Sequence, residues 1–131
     1  MYCWNYVVAN QDALCHAPWR VPSKKDIIDI DIALGGTGEN QTNTYFQIEK
    51  YFELGFIFSG RVNANNTFTY FGEAGYMLST DEADPRASNA QNKMGHFGFT
   101  SQGWNVYPNN EIISTMTKDN AIPVRCVKEI E

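Results

Sequence analysis

Beyond Gly55 the sequence becomes a succession of short aromatic stretches separated by Gly, Asn and Ser turns, and that half limits what the whole chain can fold into. Phe56-Ile57-Phe58 precedes a Ser59-Gly60 turn. Asn63 to Asn66 reads as a turn and Thr67 to Phe71 as its hairpin partner. Gly75 to Thr80 and His96 to Thr100 alternate as strands, and Trp104, Val106 and Tyr107 form a further short piece. Glu111 to Thr115 and Pro123 to Lys128 supply the last two. In the last one, Val124 and Cys126 share one face, with Arg125 and Val127 on the other. Asp81 to Asn92 is polar, contains Pro85 and reads as an exposed loop.

The first half reads differently. Tyr2, Trp4, Tyr6 and Val8 alternate with smaller or polar residues, which predicts an opening strand ended by Asn10-Gln11-Asp12. Pro18 and Pro22 bracket Trp19, so this stretch is rigid and extended, with Trp19 as a core residue. Ser23 with Asp26 resembles a capping box, and Gly35-Gly36 is a natural stop. The segment between them reads as a helix with a stripe of Ile27, Ile30 and Leu34, although its isoleucines also alternate like a strand. Thr44 with Gln47 starts a second short helix, with Tyr45, Ile48 and Phe52 on one face and Tyr51 adjacent. A strand, two helices and then many strands predict an α+β fold, with two helices packed on a twisted antiparallel sheet. Alternating βαβ units do not fit. Residues 1–131 read as a single domain.

Hydrophobic residues make up 43% of the chain and aromatics 14%, enough for a packed core. The net charge of −5 argues against a nucleic-acid partner, which needs a basic surface. No apolar run is long enough to span a bilayer. Met1 to Asn5 lacks a basic-then-apolar signal pattern and reads as the start of a chain trimmed of an export signal. The three cysteines, Cys3, Cys15 and Cys126, form no C-x-x-C pair. They fit either three buried thiols or one disulfide joining the ends of the domain. Cys15 with Cys126 is the favoured pair, leaving Cys3 outside it.

The segment Leu14-Cys15-His16-Ala17-Pro18-Trp19-Arg20-Val21-Pro22-Ser23 resembles the C-P-x-G-W-R-V-P-T/S opening of the Fibrobacter succinogenes major paralogous domain family. Pro123-Val124-Arg125-Cys126-Val127-Lys128 resembles that family's closing V-R-C-V-K/R signature. Phe58 to Arg61, Thr67-Phe68 and Gly75 to Thr80 are similar to its G-x-R, G-x-F and G-Y-x-W-S-S/T pieces. His16, Ala17 and Pro18 depart from the family's spacing, and Met77 and Leu78 stand where an aromatic pair is common. The resemblance implies a C-type-lectin-like fold and a Cys15–Cys126 disulfide. It also implies exported or cell-surface proteins of Bacteroidota and Fibrobacterota, often lipoproteins with other domains.

No residue set points to catalysis. His16 beside Cys15 suggests a Cys-His pair, but adjacent residues do not aim at one point, and it reads as structural. His96 lies in a strand and reads as packed or surface. Glu49, Glu53, Glu73 and Glu111 offer no distinguishable pair for glycoside hydrolysis. No cofactor is expected. Asp81, Glu82 and Asp84 could give two or three oxygens to calcium, but a solvated acidic loop is the favoured reading. Binding is better supported. Gln102, Trp104, Asn105, Tyr107, Asn109 and Asn110 mix flat aromatics with amides, a combination suited to a glycan or a surface protein. Trp104 and Tyr107 also fit core positions, with the asparagines shaping turns. The chain therefore reads as a non-catalytic secreted or cell-surface binding module. Its rivals are a structural or assembly domain and an enzyme related to the formylglycine-generating group.

Overall fold

A computed structural model describes residues 1–36, 38, 41–42, 48–83, 85–101, 103–107 and 116–129, the side chains of 41–42 and 104–107 excepted. Within these residues the chain is mixed α and β with antiparallel sheets. It runs β1 (Tyr2–Cys3), α1 (Trp4–Ala9), α2 (Gln11–Leu14), α3 (Lys24–Ala33), β2 (Gln41–Thr42) and α4 (Ile48–Glu53). Then follow β3 (Arg61–Val62), β4 (Phe68–Thr69), β5 (Ala74–Glu82), a 3-10 turn (Ala90–Asn92), β6 (Met94–Thr100), β7 (Gly103–Tyr107) and β8 (Ala121–Ile122). The strands form two sheets, ordered β1-β8-β3-β4 and β2-β7-β6-β5, where one sheet was expected.

β5 is the partition of the molecule. Successive side chains on a strand point to opposite faces. Met77 packs with Ile27, Tyr51, Phe56, Phe97 and Phe99 on one side. Leu78 packs with Trp4, Val7, Val21, Met94 and Ile122 on the other. Two apolar cores thus share one strand. Gly75 lies opposite Phe99 in the β5–β6 register, and a Cβ there would stand 2.2 Å from the Phe99 ring. Only glycine lets the ring lie flat against the strand.

α3 forms as its caps predict. The Ser23 side chain accepts from the Asp26 backbone N–H, and the Asp26 carboxylate accepts from the Ser23 N–H at 2.7 Å. Asp81, reaching across from β5, accepts the Lys24 N–H. These two carboxylates offset the first-turn lysines against the helix dipole. Ile27 faces the first core as expected. Asp31 does too, which no sequence pattern announced. Its carboxylate is fully buried, accepting from the Tyr51 hydroxyl at 2.7 Å and the Gly38 N–H at 2.9 Å.

Several expectations fail for identifiable reasons. The opening strand stops at Cys3, and Trp4 to Ala9 is helical. The buried pair is Trp4 and Val7, a helical i, i+3 spacing that the alternation concealed. Trp19 is half exposed, with Lys128 Nζ 5.1 Å from its ring, so it packs under a lysine at the surface and not in the core. On α4 the core residue is Tyr51, and Phe52 is exposed. β5 runs on through Asp81 and Glu82, so the polar loop starts later than expected. Residues 123–126 form no strand, and Val127 makes only an isolated bridge with Arg20. Val124 and Cys126 nevertheless both pack against the second core. The Thr44–Gln47 cap and the Glu111–Thr115 piece lie outside the described residues.

Candidate functional site

Cys15 and Cys126 are joined by a disulfide across a sequence separation of 111, with their Cα atoms 5.6 Å apart. Beside it, Arg20 and Val127 exchange backbone hydrogen bonds of 2.7 and 2.8 Å. Leu78 N–H donates to Pro123 C=O at 2.9 Å, so the C-terminal segment also docks on β5. Residues 116–129 are thereby held as a wall against the rest of the fold, and among the described residues two cavities open along them.

The larger cavity, about 560 Å³, is lined by four amide-bearing residues from separated parts of the chain, Asn5 on α1 and Asn89, Gln91 and Asn92 around the 3-10 turn, together with the charged Lys93, Lys118 and Asp119. All four residues are exposed, and among the described residues none of their side chains has a hydrogen-bond partner. Each amide carries two donors and an acceptor, so the cavity offers both polarities. The turn holding them is tied by backbone hydrogen bonds. Asn89 sits in the left-handed region at φ 54°, which asparagine tolerates. Lys118 N–H donates to Asn92 C=O at 2.7 Å, and Met94 N–H to Met116 C=O at 2.9 Å. The opposite wall is the Thr117–Asn120 turn, tied by Asn120 Nδ2 to Thr117 Oγ1 at 2.7 Å.

Lys118 links the walls. Its ammonium donates to Gln91 C=O at 2.8 Å, stands 4.2 Å from the centre of the Trp4 ring, and reaches Glu82 at 3.8 Å. Trp4 is itself pinned by its indole N–H, which donates to Ser79 C=O at 3.0 Å. Cys3, the free cysteine, also borders this cavity, with its thiol directed to Asp119 C=O. Nearby, Tyr2 and Tyr6 stack at 5.6 Å with an interplanar angle of 6°, both partly exposed. They bracket Asn5 in sequence and present flat aromatic surface on the same segment.

The second cavity, about 300 Å³, lies where Phe56 and Ile57 meet Met77 of β5 and Pro123 and Val124 of the wall. It is mainly apolar, with Arg125 at its margin.

Of the residues singled out in the sequence, Gln102, Asn109 and Asn110 lie outside the described residues. Trp104, Asn105 and Tyr107 are placed on β7 by their backbone, opposite Phe99, Gly98 and His96 in the register with β6. Asp84 and Glu111 lie outside as well. Asp81 is engaged in capping α3 and Glu82 faces Lys118, so the two do not converge on a common point. Among the described residues no group of three or more histidine, cysteine or acidic side chains comes together around a metal-sized space. Glu49, Glu53 and Glu73 are exposed and line neither cavity. His16 is exposed. His96 is buried in β6, where desolvation, seconded by the charge of Arg61, lowers its pKa to about 4. It is a neutral packing residue beside Tyr76.

Asn5, Asn89, Gln91 and Asn92 carried no local signal that they would meet. The amide-dense run Ser88-Asn89-Ala90-Gln91-Asn92 was visible only as a polar loop.

No helix among the described residues is long and apolar enough to cross a membrane. No family model, no curated protein and no solved structure matches this chain.

Proposed function

We propose that this chain is a non-catalytic, exported or cell-surface module of C-type-lectin-like architecture that binds a glycan through the amide-lined cavity. The observation that carries the reading is the presence of four exposed amide-bearing residues, from two distant segments, in the lining of one cavity of about 560 Å³. Sugar hydroxyls donate and accept at once, and carboxamides answer both demands without charge. The fixed turns reduce the ordering cost of binding. Export is supported by the Cys15–Cys126 disulfide, since such bonds persist in oxidising compartments. The kinship with the Fibrobacter succinogenes major paralogous domain family is supported by the same disulfide joining its two terminal motifs.

The test is a glycan-array screen of the oxidised protein, with and without calcium, alongside an Asn89→Ala/Asn92→Ala double variant. The expected result is retention of at least one oligosaccharide class, independent of calcium, that the double variant loses about ten-fold or more. Retention by neither protein, with folding intact, contradicts the proposal.

A second reading, an assembly domain of a larger surface protein, is favoured by the exposure of Phe71 (73%) and Ile57 (65%), together with Phe68 in ring contact with Phe71. It predicts self-association, or capture of a neighbouring domain, that substitution of Phe71 abolishes and glycans do not affect.

A further inference from the structure

The apolar cavity against residues 123–125 has a composition unlike the one lined by Asn5, Asn89, Gln91 and Asn92. Phe56, Ile57, Met77, Pro123 and Val124 line it, with Ser59 and Tyr76 as its polar members besides Arg125. At its margin the Arg125 guanidinium lies 4.5 Å from the centre of the Phe56 ring. Acidic residues outnumber basic ones 15 to 10 in this chain. Even so, Arg125 is exposed and no carboxylate among the described residues pairs with it. The guanidinium is therefore a planar cation held over an aromatic ring, with its hydrogen-bond donors available beside an apolar hollow.

That combination selects a ligand class. An apolar body enters the hollow and displaces water from the exposed Ile57 and half-buried Val124, resting over the buried Phe56 and Met77. A carboxylate at its end meets the guanidinium, whose fork matches two carboxylate oxygens. A cavity of about 300 Å³ stands at the small end of ligand sites, which suits a single ring or a short branched chain. Position is supplied by the covalent framework, because Arg125 directly precedes the cross-linked Cys126 and Leu78 hydrogen-bonds to Pro123 two residues before it. We infer that this cavity is a binding site for a small carboxylic acid with an aromatic or branched apolar body, anchored by Arg125. It is separate from the glycan reading and does not depend on it.

The probe is phenylacetate, titrated into the oxidised protein while the methionine methyl resonances are followed by NMR. Phenylacetamide, the neutral counterpart of the same shape, is run in parallel. The expected result is a saturable shift of the Met77 methyl with phenylacetate, and affinity lower by about ten-fold or more with phenylacetamide. Arg125→Gln weakens phenylacetate by a similar factor while the NMR spectrum of the free protein stays that of the folded wild type. Asn89→Ala/Asn92→Ala leaves phenylacetate affinity unaltered. Equal affinity for acid and amide overturns the inference. So does undiminished binding by Arg125→Gln, or the absence of any shift at Met77 in the folded wild-type protein.

Discussion

Asp26 carries three interactions at the start of α3. Its carboxylate closes the capping box with Ser23 and pairs with both terminal nitrogens of Arg20, the Nη2–Oδ1 contact being 2.7 Å. The Arg20 hydrogen bonds, helped by those from Ser23, outweigh burial and hold the Asp26 pKa at about 2. A carboxyl group with a folded-state pKa below its ordinary value stabilises the fold above that ordinary value. The contribution is lost as pH falls from about 4 towards 2. The Arg20 side chain is 41% exposed, so solvent screening reduces the net effect. Asp26→Asn is expected to lower stability by about 1–2 kcal/mol near pH 7 and by progressively less towards pH 2. Denaturant melts across that range test this, and a deficit that stays constant with pH contradicts it.

At the scale of elements, the legible parts were those specified by neighbours in sequence. The Ser23–Asp26 box and the Gly35 stop, at φ +96°, delimit α3 even though its isoleucines alternate. The Asn63–Asn66 turn correctly brings β3 to β4. What local signals could not decide was any segment whose residues satisfy two periods at once. Trp4 and Val7 suit a helix, while Tyr2, Trp4, Tyr6 and Val8 suit a strand. The choice is made by docking against β5, where Trp4 reaches the Ser79 carbonyl. The antiparallel pair β5–β6 shows the complementary case. Its alternation was plain, but the intimacy of Gly75 with the Phe99 ring required the register. Gly75→Ala should cost about 1–3 kcal/mol through overpacking, because the ring cannot withdraw without disturbing Phe97 and Tyr51. A melting temperature within a degree of wild type would contradict that packing.

At the scale of the whole molecule, the disulfide makes the two ends of the chain one structural unit. It closes a loop of roughly 110 residues, and on the chain-entropy model such a closure stabilises by about 4–5 kcal/mol. A Cys15→Ser/Cys126→Ser variant is therefore expected to lose about that much, read by urea denaturation. It should also lose hydrogen-exchange protection first at the Arg20 and Val127 amides that lie beside the bond. Stability equal to that of the oxidised protein contradicts this role. Both cavities depend on the same wall, which explains why neither could be seen in the sequence. Asn5 and Asn92 become neighbours only after residues 116–118 have paired with residues 92–94 and β1 with β8. Trp104, Asn105 and Tyr107 stand close together in sequence, whereas Asn5 and Asn92 are 87 positions apart and meet only through long-range pairing. The most direct measurement of the central claim is a side-chain amide NMR spectrum of the oxidised protein during titration with a mixed oligosaccharide library. The NH₂ resonances of Asn5, Asn89, Gln91 and Asn92 should move together, while those of Asn63 and Asn65 in the β3–β4 turn stay still. Unmoved resonances for all four, or movement confined to the turn, would contradict it.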